Sequence, residues 1–148
     1  MQDLPNVEAE FYETVPESEV SRIKFEARDF FERQDSKADV YMLKLILHDW
    51  SNKYATKILT PLLPYIKTGS RLLLIDSVTP PAEAPLPPTM RRMLACADLQ
   101  MLCSFSSQER SLDQWKTLFG QVDPGLEVTY VSNVPGSMHN FIEVKYLA

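Results

Sequence analysis

Hydrophobic and polar positions divide the first half of the chain into segments of two different periods. Residues 20–27, Val20-Ser21-Arg22-Ile23-Lys24-Phe25-Glu26-Ala27, alternate apolar and polar, the period of a strand with one face in solvent. Asp29-Phe30-Phe31 follows and opens a loop. Residues 40–47 are apolar almost throughout, broken by Lys44, which suits a strand buried on both faces of a parallel sheet. Ser51 is placed to cap a helix running to about residue 66, with Tyr54, Ile58, Leu62 and Tyr65 along one stripe. Pro61 and Pro64 should kink that helix or end it early. Lys67-Thr68-Gly69-Ser70 reads as a turn, and 71–75 as a second buried strand that ends at Asp76. Segment 40–76 is thus strand, helix, strand, the right-handed crossover from which parallel sheets are built.

The second half continues in the same style. Residues 79–88 hold five prolines and no periodicity, so they form a loop over one end of the sheet. Residues 89–105 predict a helix whose face carries Met90, Met93, Leu94, Ala97, Met101 and Leu102. Ser111-Leu112-Asp113-Gln114 opens a third helix to Phe119, with Gly120 as its stop. Two strands, about 126–132 and 140–147, flank Asn133-Val134-Pro135-Gly136-Ser137 and should pair antiparallel, giving the sheet a reversed edge strand. No repeat, low-complexity tail or linker interrupts the chain, so its 148 residues read as one α/β domain.

Composition narrows what such a domain can do. A hydrophobic fraction of 45% supplies a core, while no apolar run is long enough to span a membrane. Fifteen basic against twenty acidic residues leave a net charge of −5, without the lysine and arginine cluster of a nucleic-acid binder. Small molecules or proteins are therefore the expected partners, with neither nucleic acid nor membrane among them. Cys96 and Cys103 have neither metal-ligand nor disulfide-framework spacing and read as reduced, buried thiols of a helical run. Met1-Gln2-Asp3-Leu4-Pro5 lacks the charged and apolar regions of a signal peptide. A cytoplasmic protein is the expectation.

The candidate chemistry lies at the end of the apolar run, in Lys44-Leu45-Ile46-Leu47-His48-Asp49-Trp50-Ser51. Open α/β sheets bind ligands beyond the carboxyl ends of their strands, and histidine is the side chain best suited to proton transfer near neutral pH. His48 is therefore a candidate general base, though a histidine satisfied at a strand end is the plainer alternative. No metal-ligand spacing is present, and no G-x-G-x-x-G occurs.

Several blocks then appear in a familiar order: Met1-Gln2-Asp3-Leu4-Pro5, Arg28-Asp29-Phe30-Phe31, the Lys44 to Ser51 segment, Leu74-Ile75-Asp76, Asp98-Leu99-Gln100-Met101-Leu102 and Gln108-Glu109-Arg110-Ser111. In this order the chain resembles the caffeic-acid-type O-methyltransferases, S-adenosylmethionine-dependent enzymes of plant and fungal secondary metabolism. The resemblance covers essentially the whole chain. It implies a Rossmann-like methyltransferase sheet with an antiparallel C-terminal strand, and S-adenosyl-L-methionine as cofactor. It implies methyl transfer to a hydroxyl of a small secondary metabolite. A phenol with pKa near 10 must lose its proton to become a good nucleophile at neutral pH, so one positioned imidazole is what the reaction needs.

Residue roles follow by the same resemblance. His48 matches the family's catalytic base, and Asp76 and Glu109 match the two acids that orient it, by the logic of hydrolytic triads. Aspartate is one methylene shorter than the glutamate frequent at the first of these sites, which shortens its reach. Asp3 matches the acidic residue that holds the ribose diol, Asp29 and Phe30 match the adenine contacts, and Lys44 matches a lysine at the methionine end. Trp50 borders the adenine or belongs to the core. Met101, Met93 and Phe105 match the acceptor pocket, although a methionine stripe equally suits simple core. His139 has no matched role and reads as a surface or loop histidine.

The resemblance also places a first strand, a glycine-rich loop and an N-terminal helical dimerisation domain ahead of the residue matched by Asp3. The four glycines, Gly69, Gly120, Gly125 and Gly136, all lie elsewhere. The expected fold is thus a methyltransferase sheet lacking its first strand and glycine-rich loop, with homodimers a feature of the full-length relatives. Two other readings stay open: a truncated, inactive methyltransferase-like protein that supports a partner, and a methyltransferase-like enzyme of rearrangement or pericyclic chemistry.

Overall fold

The computed structural model describes residues 1–132 and 137–147. The predicted turn residues Asn133, Val134, Pro135 and Gly136 lie outside the described residues. The chain divides into two compact units, residues 1–35 and 36–148.

In the first unit, strand β1 (Gln2–Asp3) pairs in parallel with β2 (Glu26–Ala27), in the register Gln2 to Glu26 and Asp3 to Ala27. Helix α1 (Glu8–Thr14) lies between them in sequence and buries Phe11, whose ring sits 5.4 Å from that of Phe25. The strand predicted over 20–27 shrinks to its last two residues, because β1 offers only Gln2 and Asp3 as hydrogen-bonding partners. The preceding residues turn instead, with the Ile23 amide donating to the Glu19 carbonyl at 2.9 Å.

The second unit is built on a four-stranded sheet. Strand β3 (Val40–Lys44) leads through helices α2 (Asn52–Leu59) and α3 (Leu63–Ile66) to β4 (Arg71–Asp76), and the two strands are parallel. A 3-10 turn at Thr60–Leu62 separates α2 from α3, as expected where Pro61 removes an amide donor. Ala55, Ile58, Leu59, Leu62 and Ile66 form the buried stripe, whereas Tyr54 is exposed. Helices α4 (Pro88–Phe105) and α5 (Leu112–Val122) follow, then β5 (Leu126–Val131) and β6 (Asn140–Tyr146).

The sheet order is β3-β4-β6-β5. β6 runs antiparallel to both neighbours, so the reversed C-terminal strand is present but lies inside the sheet, and β5 is the edge. Leu72, Leu74, Ile142 and Val144 of the sheet are fully buried together with Leu47, Ala55, Trp115, Leu118 and Phe119. At about 25 cal/mol per Å² of apolar surface removed from water, this layer is the main stabilising term of the unit.

Three further expectations change. β3 is not buried on both faces, since Val40 and Met42 are 39% and 59% exposed; it lies at the end of the sheet order. Gly120 does not stop α5, which continues to Val122 and ends at Asp123. Cys96 and Cys103 are exposed, not buried, because α4 buries only Met101 fully and leaves the other faces open. Among the described residues, no helix is long and apolar enough to cross a membrane.

Candidate functional site

The site begins where β3 stops. Leu45 adopts φ of 52°, a left-handed conformation that costs a leucine free energy, while its amide still donates to the Ile75 carbonyl at 2.9 Å. The strand predicted to run to residue 47 therefore ends at Lys44, and Leu47–Asp49 curls into a 3-10 turn. Leu47 enters the core fully and His48 is turned away from it, with a side chain 14% exposed. Beside it β4, paired in parallel with β3 up to Ile75, ends in Asp76.

Three sequence-predicted residues come together here. His48 Nδ1 lies 3.2 Å from Glu109 Oε1 and 3.9 Å from Asp76 Oδ1. Only the first is a hydrogen bond, consistent with the shorter reach of an aspartate. With a carboxylate at Nδ1, the neutral imidazole keeps its proton on that nitrogen, which leaves Nε2 as the basic atom. Asp49 Oδ1 stands 3.5 Å from Nε2.

Supporting contacts fix the acids. The Ser77 hydroxyl donates to Glu109 Oε2, and the Glu109 amide donates to Asp98 Oδ1 at 2.9 Å. The Ser77 amide donates to Asp76 Oδ1 at 2.9 Å, and the Trp115 indole N–H to the Ser77 carbonyl at 3.0 Å.

Electrostatics follow from this arrangement. The hydrogen bond to Glu109 raises the His48 pKa above its ordinary value against the opposing effect of burial, and the negative charges of Asp76, Glu109 and Asp49 add to it. Burial raises Asp76 to about 6, although the nearby imidazole favours its charged form. Glu109 is pushed up by burial, but its hydrogen bonds from His48 and Ser77 outweigh that and hold it below the usual carboxylate range. One nitrogen or carboxylate oxygen from each of His48, Asp76 and Glu109 lies within 4.8 Å of the others.

The remaining predicted residues are distributed as follows. In the first unit Asp3 ends β1 and Asp29 lies just beyond β2, so both carboxylates are exposed at the carboxyl ends of adjacent parallel strands. Asp29 Oδ1 accepts from the Phe31 amide at 2.9 Å, and Asp3 Oδ1 from the Leu4 amide at 2.8 Å; Phe30 is 37% exposed. In the second unit Lys44 is exposed at the end of β3. Trp50 is half-buried, its ring 5.8 Å from that of Tyr54. On α4, Met101 is buried while Met93 and Phe105 are about half exposed. His139 is exposed.

A cavity of about 470 Å³ lies between segment 79–86, helix α4 and Glu109, with Leu94, Ala95 and Asp98 on its helical wall. Met93, Met101 and Phe105 do not line it. Sequence reasoning missed Ser77, Arg110 and Asn52. Arg110 is fully buried inside a block read only for Glu109, and a charged residue beside a helix cap carries no sequence signal of burial.

With this geometry in hand, comparison with known proteins is decisive about ancestry. The O-methyltransferase domain family matches residues 1–123. The chain belongs to that family. The O-methyltransferase VdtC of Byssochlamys spectabilis is 42% identical over 150 residues, covering 97% of this chain and 34% of that protein. This O-methyltransferase-family chain thus spans about a third of the length of the curated relatives it matches. Among solved structures, the O-methyltransferase NcsB1 from neocarzinostatin biosynthesis, in complex with S-adenosylmethionine and 2-hydroxy-5-methyl naphthoic acid, is 26% identical. It superposes with a TM-score of 0.79 over 99% of this chain and 40% of its own. A structure described as a pericyclic reaction enzyme is 27% identical, with a TM-score of 0.83 over 99% of this chain and 35% of its own. The mixed parallel and antiparallel sheet is therefore the Rossmann-like methyltransferase sheet that the family resemblance implied.

Proposed function

We propose that this chain is the catalytic part of an enzyme that transfers a methyl group from S-adenosyl-L-methionine to a hydroxyl of a small secondary metabolite, with His48 as general base. The observation that carries the reading is the 3.2 Å contact between His48 Nδ1 and Glu109 Oε1, which reserves Nε2 for the acceptor. A hydroxyl placed at Nε2 gives up its proton there as its oxygen becomes the nucleophile. The imidazolium so formed is stabilised by Glu109, hydrogen-bonded to it, and by the charge on Asp76. Ser77 holds the far oxygen of Glu109, so the carboxylate does not swing away from the ring.

S-Adenosylmethionine, when bound, supplies an electrophilic methyl group on a sulfonium. The donor set of the first unit fits such a nucleoside: two exposed carboxylates, Asp3 and Asp29, stand at adjacent strand ends where a ribose diol offers two hydroxyl donors, and Phe30 offers an aromatic face. The roles proposed for Lys44 at the methionine end, and for Met101, Met93 and Phe105 at the acceptor, rest on the family resemblance.

The test is transfer of a labelled methyl group to a panel of phenols, read by mass spectrometry. The expected result is product from the unaltered chain and a loss of about 10²- to 10⁴-fold in kcat for His48→Gln, with cofactor binding by calorimetry retained. Equal transfer by both proteins removes His48 as the base. The pericyclic neighbour supports a second reading, substrate rearrangement without methyl transfer. It predicts turnover that survives His48→Ala while no methyl group moves.

A further inference from the structure

Arg110 takes no part in the chemistry above, yet it is 0% exposed. A buried guanidinium is costly unless its donors are satisfied, and among the described residues its hydrogen bonds go to the turn that carries His48 and to Asn52 just after it. Nη1 donates to the Leu47 carbonyl at 2.7 Å and Nη2 to the Trp50 carbonyl at 2.6 Å. Nε and Nη2 both donate to Asn52 Oδ1, at 3.1 and 3.0 Å. The guanidinium carbon sits 5.0 Å from the centre of the Trp115 ring. None of these partners is a carboxylate; Asp76 and Glu109 act on it only through space, partly offsetting the burial that lowers its pKa.

The two carbonyls bracket His48 in sequence. The turn between them is otherwise closed by two long amide bonds, Asp49 to Ile46 and Trp50 to Leu47, both 3.2 Å, and it is entered through the left-handed Leu45. Such a turn is weakly held by its own backbone. Arg110 also directly follows Glu109, and the pair is itself anchored, by the Glu109 amide on Asp98 and by the Arg110 carbonyl, which accepts from the Thr79 amide at 2.9 Å. One short stretch of chain therefore delivers both the acceptor for the imidazole and the clamp on the turn that presents it.

We propose that Arg110 is a positioning residue, whose planar fork holds the 47–50 turn so that His48 Nδ1 meets Glu109. A lysine, a point charge on a flexible stem, lacks the fork that spans two carbonyls and an amide oxygen. The proposal deepens the reading of His48 as base, but its first test needs no activity.

The chain has two histidines, so the His48 imidazole is assigned in NMR spectra by loss of its signals in His48→Gln. The groups facing the ring are Asp49, Asp76 and Glu109, none of which is altered in Arg110→Lys. In folded Arg110→Lys the His48 pKa falls toward about 6.5 and the low-field Nδ1 proton is lost. The kcat for methyl transfer falls about 100-fold with KM for the methyl donor unchanged. Wild-type His48 titration and an intact Nδ1 signal in Arg110→Lys overturn the proposal. Should that variant fail to fold, Asn52→Ala, which frees two of the four bonds, is expected to move the His48 pKa in the same direction by less, and no movement overturns it. An unaltered chain that transfers no methyl group removes the proposed reaction and leaves the titration result to decide the role of Arg110.

Discussion

At the scale of the residue, the site is one imidazole beside two acids, Asp76 and Glu109, whose pKa values are driven in opposite directions. Asp76 is 1% exposed, and burial holds its carboxyl at about 6. Against an ordinary value of about 3.9, this corresponds to about 3 kcal/mol between its protonation states. A pKa raised by folding contributes stability that is present below the unfolded value and lost as pH rises through the folded one. Asp76→Asn should therefore melt higher than the unaltered chain at pH 8 and no higher at pH 4, measured by thermal denaturation. An Asp76→Asn chain that melts no higher than the unaltered chain at pH 8 would contradict the burial cost assigned to the ionised carboxylate. Asp76→Glu, one methylene longer, brings a second carboxylate toward His48 and should raise the imidazole pKa further in an NMR titration. His48, Asp76 and Glu109 were legible in the chain because each sits in a matched block. Asp49 at Nε2, Ser77 on Glu109 and the burial of Arg110 were not, because contacts such as Arg110 to Leu47 join residues 63 positions apart and depend on how the strands end.

At the scale of the element, periodicity located most helices and strands and missed where pairing or strain intervened. The alternation of 20–27 is genuine, but a strand exists only opposite a partner, and β1 provides two residues. The apolar run of 40–47 gives β3 and then breaks at Leu45, whose positive φ no side-chain pattern announces. Gly120 costs helix stability without ending α5, whose true stop is the extended Asp123. Its start was readable: Ser111 and Gln114 form the reciprocal capping box, with the Ser111 amide donating to Gln114 Oε1 at 2.7 Å. Ser111→Ala should cost about 1 kcal/mol of stability, read as a lowered denaturation midpoint without a change in slope. Because Ser111, the N-cap of α5, directly follows Arg110, the same variant should broaden the His48 resonances. A midpoint equal to that of the unaltered chain would show the box to be dispensable.

At the scale of the molecule, the chain carries a methyltransferase sheet whose order, β3-β4-β6-β5, strand patterns alone do not encode. Alternation says that a segment is a strand but not which neighbour it pairs with, so the reversed strand was foreseen and its interior place was not. The ordered motifs carried the resemblance to the family, which the match over residues 1–123 shows. What joins these levels is the pairing of His48 with Glu109, to which the proposed reaction owes its pH dependence. A base must be unprotonated to act, so kcat/KM for methyl transfer should rise with pH through the raised pKa of His48. The decisive measurement is that profile in the unaltered chain and in Glu109→Gln, which keeps the shape and removes the charge. The predicted result is a midpoint above about 6.5 that moves down in Glu109→Gln, with a lower plateau. A midpoint that stays in place when the Glu109 charge is removed would contradict the assignment of His48 as a base oriented by Glu109.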